Sequence, residues 1–259
     1  MQTVYLCQDN IEGIFTAIYE AWRDALRGIE ARVALEKTEE RRLFCEYILV
    51  QEEERKINAV TKLICTHMGK EVYEQLCIAA LAEDGEKAMA IFGVMQAAKL
   101  IKNPHHILSH LSEPYVGKVF ELLRSVGNEA HHYKGFVRFR ELENGVLFSE
   151  INPKNQILAC IAEHFADRLP QENWLIYDKV HEKCLVHIKA KGCFFMDGKE
   201  ISEDVTKAYS DAEMKFVALW KGFCKSISIK ERENRKLQRG NVPLRFQQDM
   251  VEFMKMDTI

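Results

Sequence analysis

The apolar residues of this chain change period at one place, and that change limits the folds open to it. Up to about residue 134 they recur at helical spacing; after Gly135 they alternate. The junction, residues 131–140, reads His-His-Tyr-Lys-Gly-Phe-Val-Arg-Phe-Arg. As a strand beyond Gly135 it directs Phe136, Arg138 and Arg140 to one face and Val137 and Phe139 to the other. Two guanidinium forks on a rigid strand suit bidentate binding of phosphate or carboxylate, so Arg138 and Arg140 are candidate anion-binding residues.

Before the junction, residues 3–6 read as a short strand and residues 31–35 as a second. Between them Asp9 or Asn10 caps a helix carrying Ile11, Ile14, Phe15, Ile18, Tyr19 and Trp22 on one face. Thr38, Glu39 and Glu40 predict a further helix start, with Leu43, Phe44, Tyr47 and Ile48 as its buried stripe. Helical spacing resumes through Ile57, Val60 and Ile64, so residues 38–134 are expected to be almost entirely helical. The acidic run Glu52 to Glu54 reads as a solvated helical face that repels DNA. Pro104 starts a helix that sets His106 and His110 on one face, but two histidines without a third ligand do not make a metal site, and no metal is expected.

After the junction the Asn144-Gly145 dipeptide predicts a hairpin pairing residues 135–142 with 146–151, with Arg140 opposite Ser149. A helix through residues 157–169 follows, with His164 and Arg168 half-buried at the edge of its apolar arc. Strands are expected at residues 174–178, where Asp178 shares the face of Trp174 and Ile176, then at 184–189 and 193–196, before a polar loop at 197–207. Ser210 and Glu213 form a capping box for a helix whose inner face is Phe216, Val217, Trp220, Phe223, Cys224 and Ile227. If that helix continues, Arg232, Arg235, Lys236 and Arg239 make one basic face; a short helix over 246–253 ends the chain. The expected class is α+β. A mostly helical part, 1–112, precedes an α+β part, 113–259, whose small antiparallel or mixed sheet is packed by helices, either as two parts or as one continuous domain.

At 259 residues, 47% hydrophobic and 29% charged, the chain can bury a sizeable core. No run reaches the roughly 18 apolar residues of a membrane span and the start lacks signal-peptide character, so no membrane partner is expected and the cytoplasm is the expected compartment. Eight cysteines stand too far apart for a CxxC clip or an iron–sulfur run and are expected to be reduced, mostly buried thiols. The net charge of −3 is unevenly spread: residues 221–245 hold eight Lys or Arg against Glu231 and Glu233, a local +6 that leaves −9 elsewhere. Such a segment is either a solvated face or an anion-binding surface.

No P-loop, dinucleotide-binding glycine fingerprint, nucleophile elbow or HExxH is present, so the residues do not announce an enzyme and no cofactor is expected. Arg168 and Asp178 read either as a buried ion pair locking helix to sheet or as part of a nucleotide pocket. In the pocket reading His164 and Asp178 are the candidate acid and base, and Arg138, Arg140 and Arg168 hold phosphate. For His131 and His132 a contact with a helix C-terminus competes with any chemical role.

The blocks Tyr5 to Trp22, His131 to Arg140, His164-Phe165-Ala166-Asp167-Arg168, Trp174-Leu175-Ile176-Tyr177-Asp178 and Ile229 to Gln238 together resemble a bacterial family taken to act in DNA metabolism or DNA repair. Its members are uncharacterised domains encoded beside a radical SAM protein assigned to DNA repair, and in some bacteria fused to a uracil-DNA-glycosylase-like domain. The resemblance spans nearly the whole chain and implies a pathway rather than a mechanism: a DNA-repair or DNA-modification accessory that binds DNA and works with a radical SAM partner. It covers Lys134-Gly135-Phe136, Arg138-Phe139, His164-Phe165, Arg168, Asp178 and residues 232–238. It departs at His131-His132, where the family pattern has a His-Arg pair, and at Arg245-Phe246, where an aromatic Tyr-Trp pair is usual. The chain lacks a CxxxCxxC cluster, so any radical chemistry belongs to the partner.

From this reading three function classes follow. One binds DNA through Arg232, Arg235, Lys236 and Arg239. Another is an enzyme acting on a nucleotide or damaged base, and a protein-interaction scaffold remains as a third.

Overall fold

The computed structural model describes residues 2–200 and 208–253. They form an α+β protein in two units, Met1–Asn128 and Glu129–Ile259. Of the expected polar loop at 197–207, residues 201–207 lie outside the described residues.

The first unit begins with strand β1 (Gln2–Cys7), helix α1 (Ile11–Leu26) and strand β2 (Ala31–Leu35). Asn10 caps α1 by accepting from the Gly13 N–H at 2.7 Å, and Ile14, Phe15 and Ile18 are fully buried. Strand β3 (Cys45–Leu49) follows, then helices α2 (Glu54–His67), α3 (Lys70–Ala80) and α4 (Lys87–Ala98), a 3₁₀ turn (Pro104–Ser109) and α5 (Pro114–Phe136), which crosses the division between the units. The three strands form a parallel sheet in the order β2-β1-β3. Lys87 is completely buried, its ammonium held by the Asp9 carboxylate and the Ala82 carbonyl, as a buried charge requires.

Here the structure corrects two expectations. Residues 38–134 are not almost entirely helical: β3 stands where the Leu43-to-Ile48 stripe predicted a helix. Leu43 and Phe44 are 85% and 89% exposed, so such a helix would have no buried face. The segment instead pairs from Gln2↔Cys45 to Leu6↔Leu49, satisfying the backbone groups of the second edge of β1. His106 and His110 fall in and after a 3₁₀ turn, where residues four apart no longer share a face.

The second unit carries a mixed five-stranded sheet in the order β4-β5-β6-β7-β8: Arg140–Glu141, Leu147–Ile151, Trp174–Asp178, Lys183–Ile188 and Gly192–Asp197. Only β5 and β6 are parallel, and helix α6 (Leu158–Arg168) makes their crossover. The core gathers Phe148, Ile161, Phe165, Trp174, Ile176 and Leu185. Phe139 adds its ring against Phe165 and Trp174, at 5.4 and 5.9 Å. After a 3₁₀ turn (Gly198–Glu200) come α7 (Asp211–Ser226), a 3₁₀ turn (Lys230–Arg232), α8 (Arg235–Asn241), α9 (Leu244–Gln247) and a 3₁₀ turn (Val251–Phe253), so the expected helix over 246–253 is two short pieces.

At the junction the helix persists further than alternation predicted. α5 runs to Phe136, whose ring stacks on His132 one turn earlier at 5.8 Å and 3° and meets Phe246 at 5.0 Å. That aromatic contact outweighs the local strand pattern. The hairpin strand shrinks to Arg140–Glu141, and Arg140 stands opposite Phe148, not Ser149. Ser210 caps α7 as predicted, its Oγ accepting from the Glu213 N–H at 3.1 Å. The cysteines are all free, but only Cys7 and Cys184 are buried, and burial pushes both thiols up to about 12.

Candidate functional site

The residues singled out from the sequence each have their own surroundings. Asp178, at the end of β6, is fully buried and turned into the bend that follows. It accepts from the N–H groups of Val180 and His181 at 3.0 and 3.1 Å and meets His181 Nδ1 at 2.6 Å. Its partner is therefore the local His181, and the ion-pair alternative with Arg168 is not formed. Arg168 lies exposed in the last turn of α6, where a cation complements the helix dipole. His164 is half-buried with its ring edge-on to Phe165, and its Nε2 has no hydrogen-bond partner among the described residues.

Arg138 and Arg140 also part company. Arg138 gives Nε and Nη2 to Glu252 Oε1 at 3.3 and 3.0 Å and Nη1 to the Gly135 and Val137 carbonyls. Its fork is thus committed to holding the Val251–Phe253 turn against the end of α5. Arg140 lies over the Tyr209 ring at 3.9 Å, where residues 208–210 run along β4 through the Leu142↔Tyr209 bridge and the Ser210 N–H to Glu141 carbonyl bond.

A second acidic centre, which periodicity did not reveal, organises the same end of the chain. Glu129, 2% exposed, accepts from the N–H groups of Lys154 and Asn155 at 3.0 and 2.8 Å and from the Asn155 side chain at 2.7 Å. Arg245 completes it at 3.1 Å. Phe246 fills the space beside it, 4.9 Å from Tyr133 and 5.4 Å from His132, so His132 is a packing partner. Desolvation raises the Tyr133 hydroxyl and the Asp249 carboxyl above their ordinary ranges; Asp249 accepts from the Asn152 amide at 2.8 Å.

The basic segment presents the opposite situation. Arg232, Arg235, Lys236 and Arg239 are all exposed, and none of them forms an ion pair among the described residues. They do not lie on one continuous helix, as the spacing had suggested. The backbone breaks after Arg232, and Asn234 opens α8 by accepting from the Leu237 N–H at 3.0 Å. The break folds the segment around an open groove of about 660 Å³, walled by Ile229, Arg232, Arg235 and Gln238, with Glu233 also on its rim.

Upstream of the groove, α7 buries only Val217. Four of the six residues of its expected inner face are exposed instead: Phe216 67%, Trp220 44%, Phe223 53% and Ile227 59%. A signal for this was present. With Met214 and Leu219 included, the apolar residues cover far more of the circumference than one buried stripe needs, at about 100° per residue.

Comparison with known proteins adds a family and no chemistry. A family model described as DUF4130, domain of unknown function, matches residues 85–252. No curated protein matches the chain. Among solved structures, a crystal structure described as a Methanococcus jannaschii family II inorganic pyrophosphatase is 12% identical, over 80% of this chain and 96% of that one, with a TM-score of 0.20, too low to carry an argument.

Proposed function

This chain belongs to the DUF4130 family, a domain of unknown function, and we propose from its own surface that it binds nucleic acid as an accessory of DNA repair or DNA modification. The observation that carries this reading is the set of exposed cations at Arg232, Arg235, Lys236 and Arg239, which meet no acidic partner among the described residues of an otherwise acidic chain. Elsewhere in the same unit, arginines are taken up by Glu252 and Glu129. Cations left unpaired beside an open groove favour a polyanion, and phosphate contacts supply most of such affinity. The resemblance noted above supports a radical SAM protein as the working partner, and co-purification of the two proteins checks that part separately.

Binding of labelled DNA over a salt series tests the main proposal. We expect affinity to fall as salt rises, and replacement of Arg235, Lys236 and Arg239 by Ala to reduce the log–log slope by about 2 to 3. No DNA affinity, or affinity indifferent to these replacements, overturns it. The enzyme reading receives less support, because the Asp178 carboxylate is occupied by its own turn and by His181.

A further inference from the structure

We infer that the basic groove and the exposed face of α7 form one continuous surface for single-stranded nucleic acid, with Trp220 and Phe223 as the platform on which unpaired bases stack; this rests on the nucleic-acid reading above and names its substrate class. Counted at about 100° per residue, Phe216, Trp220, Phe223 and Ile227 fall within about 60° of one another, with the buried Val217 at the edge of this arc, about 60° beyond Trp220. The rings of Trp220 and Phe223 lie 5.8 Å apart and only 27° from parallel. They are therefore already oriented as a stacked pair with their outer surfaces open.

The face joins the groove without a break. Ile227 belongs to both: it lies one helical turn beyond Phe223 and lines the groove with Ile229, Arg232 and Arg235. Cations track a phosphate backbone, and aromatic faces take bases of any identity, which is how single strands are held without sequence readout. A duplex hides its base faces, so it can use the cations but not the rings. Charge decides between this occupant and a protein. The window 221–245, which begins one residue after Trp220 and contains Phe223 and the groove, carries +6 in an otherwise negative chain, and with Arg245 taken up by Glu129 it still carries the excess positive charge that a polyanion matches.

The test uses the full chain, a fluorescent oligothymidine of about twelve nucleotides and a duplex of equal length, read by anisotropy. Trp220→Leu with Phe223→Leu keeps apolar bulk but removes the rings, and because both side chains are exposed a thermal melt should be unchanged. Wild type is expected to bind the single strand more tightly than the duplex. The double variant should lose about tenfold or more on the single strand and nothing on the duplex. Arg235→Ala with Lys236→Ala should weaken both.

If the duplex binds as well as the single strand, or if the double variant keeps its single-strand affinity, the platform is wrong while nucleic-acid binding stands. If neither probe binds, both readings fall. A dimer in size-exclusion light scattering that Trp220→Leu dissociates assigns the face to a second copy and overturns the inference.

Discussion

Two sets of cations in the second unit show how the same residue types come to serve different ends. Around the end of α5, Arg138 and Arg245 each meet a carboxylate at about hydrogen-bond distance, 3.0 Å to Glu252 and 3.1 Å to Glu129. Along residues 232–239 the cations are solvated, and the groove that Arg232 and Arg235 line is open. The first set ties residues 245–252 to the fold; the second leaves a charge that the fold itself does not use. Whether an arginine is structural or available thus depends on which carboxylate the fold carries to it, which neither spacing nor alternation reports.

The largest effect should come from the buried carboxylate that holds Arg245 in the first set. Glu129→Ala strands two backbone N–H groups and the Asn155 amide and releases the half-exposed Arg245 guanidinium, and should cost about 3 kcal/mol of stability in urea denaturation. A loss within experimental error would mean that the lock is ornamental and the comparison fails.

A smaller, crossed effect separates the two sets directly. Arg138→Ala should cost about 1 kcal/mol, since its ion pair with Glu252 is partly exposed. Arg235→Ala should stay within about 0.5 kcal/mol of wild type in stability yet weaken DNA binding. If Arg138→Ala weakens DNA binding as much as Arg235→Ala does, Arg138 has a share in the ligand surface.

The smallest effect is a pH dependence. Desolvation raises the Asp249 carboxyl, so the folded protein holds this proton more readily than the unfolded chain. The cost of burying the charged form is therefore present above the folded-state pKa and disappears as pH falls through the carboxylate range. Asp249→Asn keeps an acceptor for the Asn152 amide and removes the charge. Its melting temperature should exceed that of wild type at neutral pH, and the difference should shrink in acid. A difference independent of pH would assign the effect to packing.

How legible the molecule was in its sequence varied with the range of the interaction responsible. Local signals held: Asn10 and Ser210 cap the helices their side chains favour, and the alternation of Trp174 to Asp178 places Asp178 inward. The same alternation after Gly135 misled, because His132, Phe136 and Phe246 stack across more than a hundred positions of sequence to prolong α5.

By itself, the sequence determined the α+β class, most of the strands after the junction and the location of the excess positive charge, since each depends on periodicity, capping or composition within a short window. The tertiary structure alone decided that β3 completes a parallel sheet, that Asp178 pairs with His181, that Arg138 is spent on Glu252, and that Trp220 and Phe223 face outward. Apart from the neighbouring His181, these depend on partners far away along the chain. For Trp220 and Phe223 it is the absence of burial among the described residues that turns an apolar helix face into a surface open to a ligand.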